Sequence, residues 1–224
     1  MKKEVKKITE VKTLEEAAKL LPEVSTSKFV GSVDVDIVLN LKDKQKKETI
    51  RGSFNLPNSL GEEKKVIVFC EESYVKDALA AGAVEAGLDE LVEKVMKGSV
   101  DFDIVIATPS AMVKMARLGK VLGPKGLMPN PKNGTITTDI AKSIESFKAG
   151  RLNFKSVPDQ GLVRMKVAKV DMGAEKIQEN VLALLKAVHT EVKRMSSTPF
   201  KQVTIKPTMG SSIKLDVSDI MKQM

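Results

Sequence analysis

The spacing of apolar residues changes period twice along this 224-residue chain, near residue 64 and again after Gly150. Before the first change, Val33, Val35, Ile37 and Leu39 alternate with Asp34, Asp36 and Val38, the period-two pattern of a strand with one buried face. A short helix is expected at 13–21, with Thr13 as N-cap, Glu16 completing a capping box and Pro22 closing it. A further strand around 49–56 follows the charged connector 42–48, and a hairpin-like return is the simplest geometry for it.

Between the two changes the runs KVIVFC (65–70) and DIVIA (103–107) are continuously apolar, as in strands of a parallel sheet. Helical patterns follow near 73–82 and 88–97. One helix is expected from Thr108-Pro109-Ser110 to Arg117, and another from a cap at Thr138 or Asp139 to about Lys148. After Gly150 the first pattern returns. Residues 151–157 are extended and 162–170 alternate. An amphipathic helix spans about 174–195, and strands near 201–206 and 212–217 flank a PTMG turn.

Neither end segment completes a fold alone. The expectation is α+β with α/β: a discontinuous split α+β sandwich, 1–62 plus 151–224, carrying an inserted Rossmann-like α/β domain at 63–150. The chain crossings near 60–62 and 149–151 would make a hinge. Charge follows the same division. The net +8 is distributed as +3 over 1–60, −1 over 61–150 and +6 over 151–224, so joined ends would form one basic domain around a nearly neutral insertion. That insertion is itself polarised, −6 over 61–109 and +5 over 110–150.

This balance fits a nucleic-acid partner. Aromatic residues are only 4% with no Trp, which disfavours stacking of successive bases and favours recognition of folded RNA by shape, phosphates and 2′-hydroxyls. No apolar run approaches the length of a membrane span, and no signal segment is expected at the basic N-terminus. The single cysteine, Cys70, lies in an apolar run and reads as a buried strand thiol. His189 lies in a helical pattern, so neither a nucleophile–base pair nor a metal site is expected. GKVLGPKG (119–126) has the wrong spacing for a phosphate-binding loop, and Asp101 and Asp103 lack signs of burial. No cofactor is expected. A nucleotide-dependent α/β enzyme is the alternative, and a free-standing RNA-binding regulator is a third reading.

Two segments stand out as candidate sites. LGPKGLMPNPKNGT (122–135) holds three of nine prolines and three of fourteen glycines, two lysines and no acidic residue. Prolines fix φ and glycines admit positive φ, so this is a shaped loop. Leu122, Leu127 and Met128 would anchor it, and Lys125 and Lys132 face an anionic partner. Its candidate residues are Gly123, Pro124, Lys125, Gly126, Met128, Pro129, Asn130, Pro131 and Lys132. GPKG superficially matches the GxxG loop of a KH module, but prolines crowd it. PTMGSS (207–212) offers the hydroxyls of Thr208, Ser211 and Ser212, the adaptable Met209, and Gly210 for close backbone approach, between strands carrying Lys201, Lys206 and Lys214. Lys155, Arg164 and Lys166 are candidate phosphate contacts on strand faces.

The loop 122–135 resembles the signature of the bacterial large-subunit ribosomal protein L-one family, the stalk protein beside the tRNA exit site. SKFVGSVDVDIVLNL (27–41), IRGSFNLPNSLG (50–61), DFDIVIATPSAM (101–112), KAGRLNF (148–154) and PTMGSS (207–212) are similar to family segments, in the family's order. The resemblance implies the discontinuous two-domain arrangement. It also implies that the basic domain grips large-subunit rRNA and that the inserted domain assists release of exit-site tRNA. Repression of the chain's own operon through an mRNA mimic, a monomeric state within the ribosome and a cytoplasmic location belong to the same expectation. By the same resemblance Lys28, Phe29 and Ser32 lie at the RNA surface beside the turn of Thr208, Met209, Gly210 and Ser211, with Asp34 facing RNA. The 122–135 loop faces RNA or tRNA. Two departures are a short N-terminus and Lys206-Pro207 before the turn, where Lys206 adds a phosphate contact and Pro207 cannot donate a hydrogen bond.

Overall fold

The computed structural model of the chain describes residues 11–41, 49–61, 64–98, 101–193 and 198–223, and of Lys132 the backbone alone. In chain order the elements begin with β1 (Val11–Lys12), α1 (Leu14–Val24), β2 (Ser32–Leu39) and β3 (Arg51–Asn55). Then come β4 (Val66–Phe69), α2 (Glu72–Ala80), β5 (Glu85–Gly87), α3 (Asp89–Met96) and β6 (Ile104–Ala107). The short helices α4 (Met112–Met115) and α5 (Gly119–Leu122) precede α6 (Ile140–Lys148). The chain ends with β7 (Arg151–Val157), β8 (Leu162–Lys169), α7 (Ala174–Val192), β9 (Phe200–Pro207), β10 (Ile213–Leu215) and α8 (Val217–Gln223). These group into two compact units, Met1–Leu60 with Leu152–Met224, and Gly61–Arg151.

The first unit is a seven-stranded sheet in the order β1-β10-β9-β2-β8-β7-β3. Its central strand β2 keeps the alternation read from the sequence. Val33, Val35, Ile37 and Leu39 are buried, in one apolar cluster with Val163, Val167, Val203 and Ile205 and the inner faces of α1 and α7. The hairpin expected between β2 and the 49–56 strand does not form. Both edges of β2 are taken by the eight-residue strands β8 and β9, so β3 lies at the far edge beside β7. There Ser156 donates its N–H to Ile50 O (2.8 Å) and its Oγ accepts from Ile50 N (2.9 Å). The connector 42–48 lies outside the described residues.

Helix α1 starts where expected, with Thr13 Oγ1 accepting from Glu16 N (3.4 Å), but Pro22 does not close it. The helix continues to Val24, because proline's φ is already helical and the missing donor falls in the last turn, while buried Leu21 and Val24 hold that turn to the core. Helix α7 buries Ile177, Val181, Leu184, Leu185, Val188 and Val192, and one polar residue, Asn180, which is fully buried. Asn180 Nδ2 donates to Asn58 O (3.0 Å) and Val167 O (2.9 Å), and its Oδ1 accepts from Asn58 N (3.0 Å). The helix thus ties the 56–60 segment to β8. Helix α8 and the parallel pairing of β1 with β10 have no counterpart in the sequence reading.

The second unit holds a three-stranded parallel sheet, β5-β4-β6. Alternate residues of β4 serve opposite layers. Ile67 and Phe69 pack with Leu91, Met115, Leu118 and Leu122, and Val66 and Val68 pack with Ala78, Ile144 and Phe147. That two-sided burial is why 65–70 reads as a continuous apolar run. The helix expected from Thr108 to Arg117 is instead broken into α4, a 3-10 turn at Ala116–Leu118, and α5. Asp139 takes the N-cap position of α6 as expected but makes no side-chain cap bond; Thr137 Oγ1 accepts from Asp139 N (3.0 Å). Cys70 is fully buried, and that burial pushes its thiol pKa up. Native protein near pH 8 should therefore label with a thiol reagent at least about tenfold more slowly than in denaturant. Equal rates would contradict the buried placement.

Candidate nucleic-acid interface

At one end of the first unit's sheet, three chain segments meet. Helix α1 ends at Ser25, whose backbone bridges to Gly210, and the following residues run back toward β2. Thr26 donates to the Met209 carbonyl twice, from its N (2.9 Å) and its Oγ1 (3.0 Å). Thr208 N donates to Ser32 O (2.9 Å), and Thr208 Oγ1 lies 2.8 Å from Asp34 Oδ2 and 3.2 Å from Ser32 O. A hydroxyl carries one proton, so the shorter bond to the charged carboxylate takes it and an oxygen lone pair remains for an outside donor. Ser27 Oγ donates to Phe29 O (2.9 Å) and accepts from Ser25 Oγ (3.0 Å).

Glycine at 210 is a steric requirement. A Cβ there would stand 2.5 Å from Val24 O and 2.6 Å from the Pro207 ring. The packing leaves large apolar side chains in solvent: Phe29 is 69% and Met209 54% exposed. Lys28 is exposed beside them, and Ser32, Asp34 and Ser211 are half-buried. The structure thus brings Lys28, Phe29, Ser32, Asp34, Thr208, Met209, Gly210 and Ser211 together. Pro207 costs no hydrogen bond, since it ends β9 opposite Val33 and Thr208 supplies the next donor.

The cations are arranged differently. On the outer face of the sheet Asp36 sits between β8 and β9, its Oδ2 2.8 Å from Lys206 Nζ and its Oδ1 3.6 Å from Arg164 Nε. Lys206 is thus held by a carboxylate, and Arg164 leans on the same group. Lys166 stands opposite Asp34 in the β8 register and is half-buried. Ser156 and Val163 are buried partners across β7 and β8, so exposed Lys155 shares the outer face with Arg164 but lies two strands from β2.

In the second unit, GPKG proves to be the end of a helix. Leu127 N donates to Leu122 O and Gly126 N to Gly123 O, both at 3.0 Å, with Gly126 at φ +71. This is a Schellman cap, in which Gly126 takes the left-handed position and Leu127 returns to the apolar cluster beside Leu122. Gly123, Pro124, Lys125 and Gly126 are exposed, while Pro129 is buried and Met128 and Asn130 half-buried. The loop's second half is pinned by buried Thr135, whose Oγ1 accepts from Asn130 N (2.8 Å) and whose carbonyl accepts from Ala107 N (2.9 Å). Pro131 is exposed in a 3-10 turn at Pro131–Asn133 that includes Lys132.

A family model described as the Ribosomal protein L1p/L10e family matches residues 21–211, a span that takes in the 25–34 segment, the whole second unit and the 207–211 turn. The chain belongs to this family. It is 44% identical to the Large ribosomal subunit protein uL1 of Lactobacillus johnsonii over 211 residues, 93% of this chain and 90% of that protein. The proteins of that name from Lactobacillus gasseri and Pseudomonas aeruginosa are 43% identical over 209 residues and 40% over 213, with the same coverage. Membership in a ribosomal-protein family removes the nucleotide-dependent enzyme alternative.

The sequence reading missed Thr26 and Asp36. The hydroxyl run STS (25–27) directly after α1 was a signal for the first, since such side chains bond nearby backbone. Asp36 carried none, because its importance depends on which strands flank it.

Proposed function

We propose that this family member is a structural protein of the large ribosomal subunit that binds large-subunit rRNA through the basic first unit and so forms the mobile stalk. The 207–211 turn, docked on residues 25–34, is the recognition surface, with Lys155, Arg164, Lys166 and Lys206 positioning phosphates. The second unit, with its 122–135 loop, assists release of exit-site tRNA. The same RNA surface, when rRNA is scarce, holds the chain's own operon mRNA and represses it. The observation that supports this reading best is the pinned turn that keeps Phe29 and Met209 in solvent beside Lys28. Exposing two large apolar groups on a hydrogen-bonded platform suits contact with a folded RNA surface.

The test is affinity for large-subunit stalk RNA across a salt series, with random duplex RNA as competitor. Binding that survives moderate salt and competitor is expected. Binding that collapses with salt and does not distinguish the RNAs would leave only basicity. Thr208→Val should weaken binding by about 1–3 kcal/mol, since it removes the lone pair offered to RNA and orphans Asp34. An unchanged affinity would take Thr208 out of the site. Lys155→Ala should weaken all RNAs alike and reduce the salt slope by about one. Co-sedimentation with large subunits separates this reading from a regulator outside the ribosome.

A further inference from the structure

We propose that the crevice at the carboxyl end of the second unit's parallel sheet is a docking site for a lysine- or arginine-rich peptide segment that also carries apolar side chains. The crevice is a cavity of about 770 Å³ that opens where β4 and β5 end and α2 and α3 begin. In layered α/β folds ligands occupy this place, and the N–H groups of the helix N-termini usually draw anions.

Here the same positions are filled with carboxylates. Glu71 and Glu72 open α2, Asp89 and Glu90 open α3, and Glu85 lies on β5. Two of the five are neutralised, Glu85 by Lys94 (3.1 Å) and Asp89 by Lys114 (2.9 Å). Glu71, Glu72 and Glu90 have no ion-pair partner among the described residues. The crevice is therefore a net −3 surface on a chain of net +8, and it repels phosphate.

Its other component is apolar. Leu79 is 48% and Val84 56% exposed, both on the crevice wall with half-buried Val75. No group of three or more His, Cys, Asp or Glu able to hold a metal occurs among the described residues, so these carboxylates do not converge on an ion. Separated carboxylates around exposed aliphatic side chains complement a chain that alternates cationic and aliphatic groups. Charge complementarity selects the partner, and the apolar wall distinguishes it from a simple polyamine.

The experiment is fluorescence anisotropy of the full chain with a labelled twelve-residue peptide of alternating lysine and leucine at physiological salt. A lysine–glycine peptide of equal charge and spermine serve as competitors. Glu71→Gln with Glu72→Gln should weaken peptide binding by about tenfold, the sum of two modest exposed ion pairs. Leu79→Ser with Val84→Ser, at exposed positions, should weaken it comparably, and the lysine–glycine peptide should compete poorly. Affinity for stalk RNA should not change in either double variant. Failure of RNA binding alone would therefore strike the ribosomal reading and not this one. Absence of peptide binding, indifference to both double variants, or equal competition by spermine or the lysine–glycine peptide would overturn the proposal.

Discussion

Gly210→Val should reduce affinity for stalk RNA by about a hundredfold, the largest binding effect expected from any single substitution in the turn. A side chain at 210 meets the Val24 carbonyl and the Pro207 ring at 2.5 and 2.6 Å, distances that no Cβ tolerates. Neither neighbour is a flexible tip, so the turn itself must move. Its movement separates Met209 O from the two Thr26 donors and pulls Thr208 from Asp34. Overpacking of this kind costs about 1–3 kcal/mol of stability, less than a typical domain's margin, so the variant should remain folded. Thermal melting alongside RNA titration separates the two effects. A folded variant with wild-type affinity would remove the 207–212 turn from the recognition surface.

Asn180→Ala is expected to be the most damaging change to stability, by about 3–5 kcal/mol from three backbone groups losing partners at once. The side chain is fully buried and serves Asn58 N, Asn58 O and Val167 O, and alanine offers none of these bonds. Asn180→Asp should be no better, because a carboxylate can still accept from Asn58 N but turns an acceptor toward two carbonyls. The measurement is the urea midpoint at constant slope. A shift equivalent to less than about 1 kcal/mol would mean that the 56–60 segment finds other partners.

The sequence displayed those features whose cause is local. Alternation at 33–39 announced a half-buried strand because period two assigns each side chain a face, and 65–70 announced a two-sided one. Pairing was not local and so was not legible. Nothing in β2 says that β8 and β9 will take its edges, and a simple hairpin to β3 looked sufficient. Strand β5, Glu85-Ala86-Gly87, has no apolar signature; its place comes from backbone bonds such as Cys70 N to Gly87 O (3.2 Å). The 207–211 turn stood out as a candidate through its hydroxyls, its flanking lysines and the family resemblance, not through Thr-Met-Gly alone. Asp36 looked like any solvated strand residue until register placed Arg164 and Lys206 around it. Proline misled at 22, where a helix breaker fits the last turn, and GPKG read as part of a shaped loop because a Schellman cap uses the same residue types.

The strand order has a consequence for synthesis. Among the described residues strand β2 pairs with β8 and β9, so residues 32–39 wait for a first neighbour until about residue 169, and for the second until about 207, has left the exit tunnel. The second unit, by contrast, is contiguous from Gly61 to Arg151 and can close while translation continues. The turn we propose as the recognition surface is held by a bond from Thr26 to Met209 and so forms only in a chain that is almost finished. Products terminated before the turn would carry a folded middle, and under the proposed function only completed molecules would compete for RNA.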